Sequence, residues 1–373
     1  MGRAQDHCGS TQSLPRYVED DSDGLLAWVC MTRVLVTGAA GFLGSPLVKT
    51  LCESGYQVRA LLHDSRRSIS YSPEVETVTG DIRDPKRVRA ISSGCGAIVH
   101  LAAKVHAMDD CGSEQDYQAI NVNGTRNVLD AAVASGVKRV VFASSVKVFG
   151  EETSGCIDES CPPNPKTDYG RSKWLAEQLI SDYAIRYGLT AVSLRLPMVY
   201  GPTKKGNLYQ MIEAIDQGRF PVLPRIPTVR SLLHVQNFVQ AVVLCLQAPH
   251  FKQRAYIVTD AEPYCVTDLY DWLRAGLGNP SPRWRVPLWI LKGGARCGDL
   301  LQLLSGRHIP LTSARLTKLI SGAWYSAEAI TCELGYQATH SFAETVQELI
   351  AFYRNSASIL SETTSYRESL LIR

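Results

Sequence analysis

The apolar positions in the first half of the chain fall into short runs that are separated by longer amphipathic segments. Each run has the length and the valine, isoleucine and leucine content of a buried strand. The predicted strands lie at 33–37, 57–62, 75–79, 97–101, 138–144 and 191–196. Helical spacing covers 42–53, 116–135 and a segment that opens at Tyr169. This alternation is typical of an α/β fold in which helices cover both faces of a doubly wound parallel sheet.

The pattern changes after a glycine- and proline-bearing loop at 200–206. Short helices, proline breaks and one further strand at 254–259 follow, and they are too irregular to continue the repeat. We therefore predict a smaller C-terminal substrate-binding lobe at the carboxyl edge of the sheet, where open α/β sheets bind their ligands. The predicted division is a dinucleotide-binding domain at 32–200 with 228–260, and a substrate lobe at 201–227 with 261–354.

Both ends of the chain lack the periodicity of a folded element. Residues 1–31 are largely polar with an acidic run at 19–23, and Met31 directly precedes the first strand. We expect a disordered extension here and a working protein that starts at Met31. Residues 355–373 are predicted to be a loose polar tail.

Three glycines follow the first strand directly and open the first helix. Gly38 permits a tight turn, Gly41 lets backbone N–H groups approach a pyrophosphate, and Gly44 lets the helix pack closely on the strand. In this strand–turn–helix context the spacing predicts a Rossmann-type dinucleotide site. Phe42 and Leu43 belong to the same turn and are predicted cofactor contacts.

Two other strand ends bear on the identity of the dinucleotide. Asp81 and Ile82 follow the third strand and are expected to contact an adenine, although Asp81 alone fits a turn equally well. Asp64 follows the second strand and suits the ribose 2′-OH of NAD, whereas the nearby Arg66 and Arg67 suit the 2′-phosphate of NADP. The residues leave NAD and NADP open, and we expect NAD first.

Three polar side chains are placed for proton-coupled hydride transfer. Ser145 follows the fifth strand, and Tyr169 and Lys173 lie four residues apart on one helix face. The lysine charge is expected to favour the phenolate and to lower the tyrosine pKa from about 10. For the tyrosine–lysine pair alone, a surface role on an amphipathic helix is the better interpretation. The upstream glycine turn favours the catalytic one.

Composition excludes several classes of function. The net charge of +3 and the scattered arginines predict no nucleic-acid partner. No apolar run reaches the ~18 residues of a membrane span, and the stretch at 286–291, between Arg285 and Lys292, is expected to be a docked helix. The 11 cysteines show no Cys-x-x-Cys and no zinc spacing with histidine. We therefore expect no metal site and a cytoplasmic protein.

Together these motifs resemble the extended short-chain dehydrogenase/reductase superfamily, over roughly residues 32–353. Within it the chain is most similar to UDP-hexose 4-epimerases and to the UDP-4-keto-6-deoxy-N-acetylhexosamine reductases of O-antigen synthesis. Further motifs that carry the resemblance are the strings at 100–103, 121–125 and 195–202, and, for the reductases in particular, those at 102–108, 145–151 and 170–177.

The resemblance implies roles for residues that match the family motifs. Ser145 corresponds to the catalytic serine, Tyr169 to the acid/base, and Lys173 to the lysine that binds the cofactor ribose and tunes the tyrosine. The segment Leu101, Ala102 and Ala103 is implied to line the nicotinamide ribose.

The resemblance also implies a substrate site and an assembly. Lys147, Asn207 and Arg230 are the implied substrate contacts, with Arg230 on the pyrophosphate of a UDP-sugar. Arg230 as a surface residue that bridges the two lobes is the alternative. A homodimer through the two long helices is implied as well.

The implied activity is NAD(P)-dependent reduction at C4 of a UDP-4-keto-6-deoxy-N-acetylhexosamine. UDP-hexose 4-epimerisation by the same residues is the first alternative, and a steroid- or flavonoid-type alcohol dehydrogenase is the second. Lys147 stands where epimerases usually carry a small hydroxyl residue, and no second phosphate-binding arginine is clear after the last strand. Both departures favour the reductase. A cofactor-sensing protein without activity is the alternative of a different class, and the intact Ser145, Tyr169 and Lys173 disfavour it.

Overall fold

A computed structural model describes most of the chain from residue 32 onward. The described residues are 32–64, 71–105, 113–153, 155–204, 206–280, 284–305, 309 and 311–371, without the side chains of 318–319 and 357–371. The extension predicted at 1–31 and the arginines at 66 and 67 lie outside these ranges.

The strands are β1 (Arg33–Thr37), β2 (Gln57–Leu62), β3 (Glu76–Thr79), β4 (Ala97–His100), β5 (Arg139–Ser145), β6 (Cys156–Ile157), β7 (Thr190–Leu196), β8 (Met198–Tyr200), β9 (Val229–Arg230), β10 (Leu232–His234), β11 (Ala255–Ile257), β12 (Tyr264–Cys265) and β13 (Trp324–Tyr325). The α-helices are α1 (Gly44–Glu53), α2 (Pro85–Ser92), α3 (Glu114–Tyr117), α4 (Gly124–Ala134), α5 (Asp168–Tyr187), α6 (Asn207–Asp216), α7 (Val235–Gln247), α8 (Val266–Gly276), α9 (Leu288–Ser305), α10 (Ser313–Ile320), α11 (Glu328–Leu334) and α12 (Phe342–Leu371).

Seven strands form one parallel sheet in the order β11-β7-β5-β4-β1-β2-β3. From β1 the chain adds β2 and β3 on one side of the sheet and then adds β4 and the later strands on the other side. The boundary between β1 and β4 is therefore the topological switch point of a doubly wound fold. This order confirms the predicted α/β fold. The switch point also places the ends of β1 and β4 on either side of a crevice.

Side-chain alternation along the strands builds a core on each face of the sheet. Val34 and Val36 of β1 face α1 and α7, whereas Leu35 faces α2, α4 and α5. All three side chains are fully buried. Helices therefore cover both faces, and the polar carboxyl edge of the sheet remains for ligands.

A third core holds the smaller lobe together. It joins α6, α8, α9, α10 and α12, with Tyr270 and Phe342 among its fully buried members. The buried Asp260 carboxylate links this lobe to the sheet domain, because it accepts hydrogen bonds from Tyr200 Oη (2.8 Å), Tyr264 Oη (2.9 Å) and Asn237 Nδ2 (2.7 Å).

The structure corrects three predictions about elements. The strand at 254–259 extends the repeat, because β11 pairs in parallel with β7 at the sheet edge. The helix at 116–135 is interrupted by a π-helical segment, Gln118–Asn123. The tail predicted to be loose is helical as far as Leu371, and residues 342–371 contain no glycine or proline that would end a helix. Within the described part of the chain, no helix is both long and apolar enough to cross a bilayer.

Candidate active site

A large cavity lies between the carboxyl edge of the sheet and the smaller lobe. Its volume is about 1790 Å³. It brings together every site residue predicted from the sequence, and these are Gly38, Gly41, Phe42, Leu43, Gly44, Asp64, Asp81, Ile82, Leu101, Ala102, Ala103, Ser145, Lys147, Tyr169, Lys173, Asn207 and Arg230.

The glycine turn between β1 and α1 has no room for side chains. Gly38 has a φ of +69°, and a Cβ there would lie 2.8 Å from the backbone nitrogen of Ala102. A Cβ on Gly44 would lie 2.4 Å from the Gly38 carbonyl oxygen. The turn therefore brings bare backbone to the cavity floor and points the N-terminus of α1 at it, which suits a pyrophosphate.

The distance across the sheet fits an extended dinucleotide. Asp81 follows β3 and Ser145 ends β5, so four strand spacings separate them, or about 19 Å at about 4.8 Å each. Asp64 and Ile82 line the cavity at the β2–β3 end, where the adenosine half would lie. With the bare glycine backbone between the two ends, the described residues fit a nicotinamide dinucleotide.

Asp81 has a closer partner than the sequence suggests. Its carboxylate accepts hydrogen bonds from the Arg83 backbone nitrogen (2.8 Å) and from Arg83 Nε (2.9 Å). These hydrogen bonds and the arginine charge lower the pKa of Asp81. The carboxylate is thus fixed in its charged form at the cavity rim.

Ser145, Tyr169 and Lys173 lie where β5 meets α5, with Ser145 and Lys173 buried and Tyr169 half-buried. Ser145 lies close enough to the Tyr169 hydroxyl to act to lower its pKa, and Ser145 Oγ accepts a hydrogen bond from the Lys147 backbone nitrogen at 3.2 Å. Lys173 Nζ donates to the carbonyl oxygen of Ala143 at 2.8 Å. A phenol and a serine hydroxyl that line one cavity side by side can together hold and protonate one substrate oxygen.

The expected coupling between Tyr169 and Lys173 is not present in the described structure. Burial raises the pKa of Tyr169 to about 12, against the opposing effect of the Ser145 side chain. Burial also lowers the pKa of Lys173 to about 7, while Glu177 acts to raise it. The prediction that Lys173 lowers the tyrosine pKa is therefore wrong for this arrangement, because the lysine faces Ala143 and the Phe142 ring, 4.7 Å away.

Sequence reasoning missed an ion pair beneath this cluster. Glu177 lies one turn after Lys173 on α5 and binds Arg195 of β7, with Arg195 Nη2 donating to Glu177 Oε2 at 2.8 Å. Ser144 Oγ donates to Glu177 Oε1 at 2.5 Å. The sequence does place Glu177 on the same helix face as Lys173, four residues later, and it does place Arg195 in a family motif. Neither observation predicts that the Glu177 and Arg195 side chains form an ion pair.

Two further buried groups hold the cavity wall between β4 and the π-helical segment. His100 Nδ1 lies 2.7 Å from Thr37 Oγ1, and its Nε2 lies 3.1 Å from Thr125 Oγ1. Burial lowers the pKa of His100 to about 3, so the imidazole is neutral. Asn121 Nδ2 donates to Ser172 Oγ at 2.9 Å and thereby ties this segment to α5.

The predicted substrate contacts also line the cavity. Lys147 Nζ lies 2.7 Å from Glu151 Oε2, so its charge is already paired. Asn207 is the first residue of α6, and Arg230 Nη2 donates to the Ser321 carbonyl oxygen at 2.9 Å. This hydrogen bond to Ser321 agrees with the alternative role of Arg230, in which it bridges the two lobes. Its place on the cavity wall is compatible with ligand binding too.

Comparison with known proteins identifies the family of this chain. The profile of the NAD dependent epimerase/dehydratase family matches residues 34–258, which is more than half of the chain. The chain belongs to the NAD-dependent epimerase/dehydratase family. It is therefore an enzyme of the extended short-chain dehydrogenase/reductase superfamily, as the sequence predicts.

Relatives of this epimerase/dehydratase family member include two 4-epimerases. N-acetyl-α-D-glucosaminyl-diphospho-ditrans,octacis-undecaprenol 4-epimerase of Escherichia coli O157:H7 is 28% identical over 86% of this chain and 95% of the relative. UDP-glucose 4-epimerase of Vibrio cholerae is 31% identical over 69% of this chain and 80% of the relative. Among solved structures, dTDP-glucose 4,6-dehydratase of Streptomyces venezuelae with NAD bound is 25% identical, covers 87% of this chain and 97% of that one, and superposes with a TM-score of 0.70.

Proposed function

We propose that this enzyme catalyses NAD-dependent oxidoreduction at C4 of a UDP-sugar. The observation that carries the proposal is that Ser145 and Tyr169 line the same cavity as the glycine turn and Arg230. A redox cofactor site, an acid/base pair and a cation for a diphosphate are the three parts that this chemistry needs. The cation disfavours a steroid or flavonoid alcohol, which has no diphosphate.

In the proposed reaction the protein moves one proton and the cofactor one hydride. Bound NAD⁺ supplies the hydride acceptor next to Ala102 and Ala103. As the phenolate, Tyr169 would take the proton from the C4 hydroxyl while Ser145 holds the same oxygen, and it would return that proton to the oxygen in the reverse step. Lys173 holds the cofactor ribose, and Arg230 and Asn207 hold the nucleotide diphosphate.

Epimerisation and reduction use the same residues, and different observations favour each. Both relatives described above are named 4-epimerases, which supports epimerisation. The reductase motif strings and Lys147 support reduction of a UDP-4-keto-6-deoxy-N-acetylhexosamine, but Lys147 is paired with Glu151 and so is a weaker argument than the sequence suggests. We therefore place the 4-epimerase first and the reductase second.

Three further parts of the proposal concern the setting of the reaction. NAD is the proposed cofactor because the family is NAD-dependent and Asp64 lines the adenosine end of the cavity. A homodimer through α4 and α5, as the resemblance implies, is the proposed assembly. The cytoplasm is the proposed location, because nucleotide sugars and reduced thiols are found there.

The test is a set of three incubations of the purified protein. UDP-glucose and UDP-N-acetylglucosamine are each incubated with NAD⁺ and followed by NMR, and UDP-4-keto-6-deoxy-N-acetylglucosamine is incubated with NADH or NADPH and followed by absorbance. Interconversion at C4 supports the epimerase, and stoichiometric oxidation of the cofactor supports the reductase. Tyr169→Phe should abolish either activity, whereas Tyr187→Phe, on the exposed end of the same helix, should retain it. Failure of all three incubations would overturn the proposal.

A further inference from the structure

Helix α9 contacts the rest of the lobe through a narrow stripe of small and apolar residues. Only Leu291, Ala295 and Gly298 are buried among its residues, and they lie at spacings of four and three along one face. A Cβ on Gly298 would lie 1.9 Å from the Leu311 carbonyl oxygen, so the helix is seated close to the chain there. The sequence predicts a docked helix in this region, and the structure shows that most of its circumference is not docked.

The outward face of α9 is strongly apolar. Leu303 is 81% exposed, Leu304 74% and Trp289 74%. Leu300, Leu301 and Ile290 are exposed beside them. Six large apolar side chains exposed on one helix mark a surface that binds a partner, since isolated exposed leucines are ordinary but such a group is not.

Basic side chains outnumber acidic ones on the solvent side of α9. Lys292 and Arg296 are exposed, and their spacing from Leu300 and Leu303 places all four on one face. The only acidic residue of α9 is Asp299, whose Oδ1 accepts a hydrogen bond from the Ser313 backbone nitrogen at 3.0 Å and so caps α10. The solvent side of α9 is therefore apolar and predominantly basic, with Lys292 and Arg296 against the single exposed carboxylate of Asp299.

We propose that α9 lies in the interface of an anionic lipid bilayer, with its leucines and Trp289 inserted among the acyl chains. Tryptophan and leucine beside lysine and arginine are the residues of interfacial helices. Long basic side chains extend toward anionic headgroups while their methylenes remain in the apolar layer. Self-association through this face is disfavoured, because it would bring the Lys292 and Arg296 charges of two copies together.

The position of α9 relates membrane docking to the active-site cavity. Leu291 and Ala295 pack in the same core as Leu316 of α10. Helix α10 supplies Ser313, Ala314, Arg315 and Thr317 to the cavity wall. Docking through α9 therefore places the lobe wall of the cavity beside the bilayer, and the proposal stands whether or not the sugar substrate proposed above is correct.

Vesicle sedimentation of the full-length protein tests the docking. We expect the protein to pellet with vesicles of phosphatidylglycerol and phosphatidylethanolamine, and to pellet at least tenfold less with phosphatidylcholine alone or at high salt. Leu303→Glu/Leu304→Glu should reduce binding to the anionic vesicles at least tenfold. The control Ala90→Glu, which puts the same charge at an exposed position on α2, should bind them like the natural protein.

Other outcomes would overturn the proposal. Absence of sedimentation with anionic vesicles would do so, as would equal binding by the double variant. A dimer in gel filtration that becomes monomeric in the double variant, without vesicle binding, would show that a second copy covers the patch instead. Thermal unfolding by circular dichroism and cofactor binding, both unchanged in the variants, separate a loss of docking from a loss of fold.

Discussion

Glu177 and Arg195 form a buried ion pair directly beneath the Tyr169–Lys173 helix turn. Their side chains are 4% and 7% exposed, and Arg195 Nε and Nη2 both donate to the carboxylate. The Arg195 guanidinium also lies 4.8 Å from the Phe149 ring. The pair joins α5 to β7, so it fixes the position of Lys173 relative to the end of β5.

Removing one partner of this pair should be strongly destabilising. Glu177→Ala leaves the Arg195 charge buried and unpaired, and we expect a loss of about 3–5 kcal/mol in the free energy of unfolding. Asp182→Ala removes an exposed partner of Arg186 on the same helix and should change stability by no more than about 0.5 kcal/mol. Urea unfolding of both variants measures the difference; equal effects would contradict the role assigned to the buried pair.

The buried Lys173 should make stability increase with pH. Its pKa is about 7 in the folded chain and its ordinary value is 10.5, so between these values the unfolded chain binds more protons and the free energy of unfolding rises with pH. Relative to Lys173→Met, the natural protein should gain about 1 kcal/mol per pH unit between pH 7.5 and 9.5. Urea unfolding of both proteins without cofactor at several pH values measures this difference. If the free energies of unfolding of the natural protein and of Lys173→Met changed in parallel with pH, the lysine would be charged in the folded chain.

Two glycines at helical positions should respond oppositely to alanine. Gly44→Ala places a Cβ 2.4 Å from the Gly38 carbonyl oxygen, so we expect a loss of about 1–3 kcal/mol and weaker NAD binding. Gly293→Ala in α9 meets no atom within 4 Å and should stabilise by about 0.5–1 kcal/mol. Thermal unfolding and calorimetric NAD titration measure both effects. A Gly44→Ala protein with unchanged NAD affinity would argue against the glycine turn as the pyrophosphate site.

The proposed role of Arg230 predicts a selective loss of substrate affinity. Arg230→Ala should raise the KM for the UDP-sugar about 10- to 100-fold, the equivalent of a hydrogen bond to a charged group, and leave NAD affinity unchanged. Arg230→Lys should recover part of the loss, because the charge remains while the planar guanidinium does not. Arg225→Ala, at an exposed position outside the cavity lining, is the matched control. Steady-state kinetics that show a normal KM for Arg230→Ala would refute the diphosphate contact.

The α/β fold was predictable because its signals are local. Alternation of strand and helix, with Gly38, Gly41 and Gly44 directly after β1, is visible in the sequence alone. The position of β11 in the sheet was not predictable, because a three-residue strand pairs with β7 only through contacts between distant parts of the chain. The π-helical segment was missed since nothing in its apolar spacing differs from that of an α-helix.

The site residues were predictable as types and positions, but their electrostatics were not. Motif spacing indicates that Tyr169 and Lys173 share a helix face, and both line the cavity. The lysine's actual partner is the Ala143 carbonyl oxygen, a backbone group with no signal in the sequence. Likewise, the docked helix expected at 286–291 is docked only through Leu291, Ala295 and Gly298, because a pattern does not show which face of a helix finds a partner.

Isotope transfer from the sugar tests the central claim most directly. The NAD⁺-loaded enzyme is incubated in ordinary water with a UDP-hexose that carries deuterium at C4, and the sugar and the nicotinamide are then analysed by NMR and mass spectrometry. Hydride transfer at C4 predicts that the deuterium stays at C4 of the epimerised sugar or is found on the nicotinamide ring. Loss of the deuterium to water, with an unlabelled cofactor, would show proton abstraction at that carbon and would contradict the account.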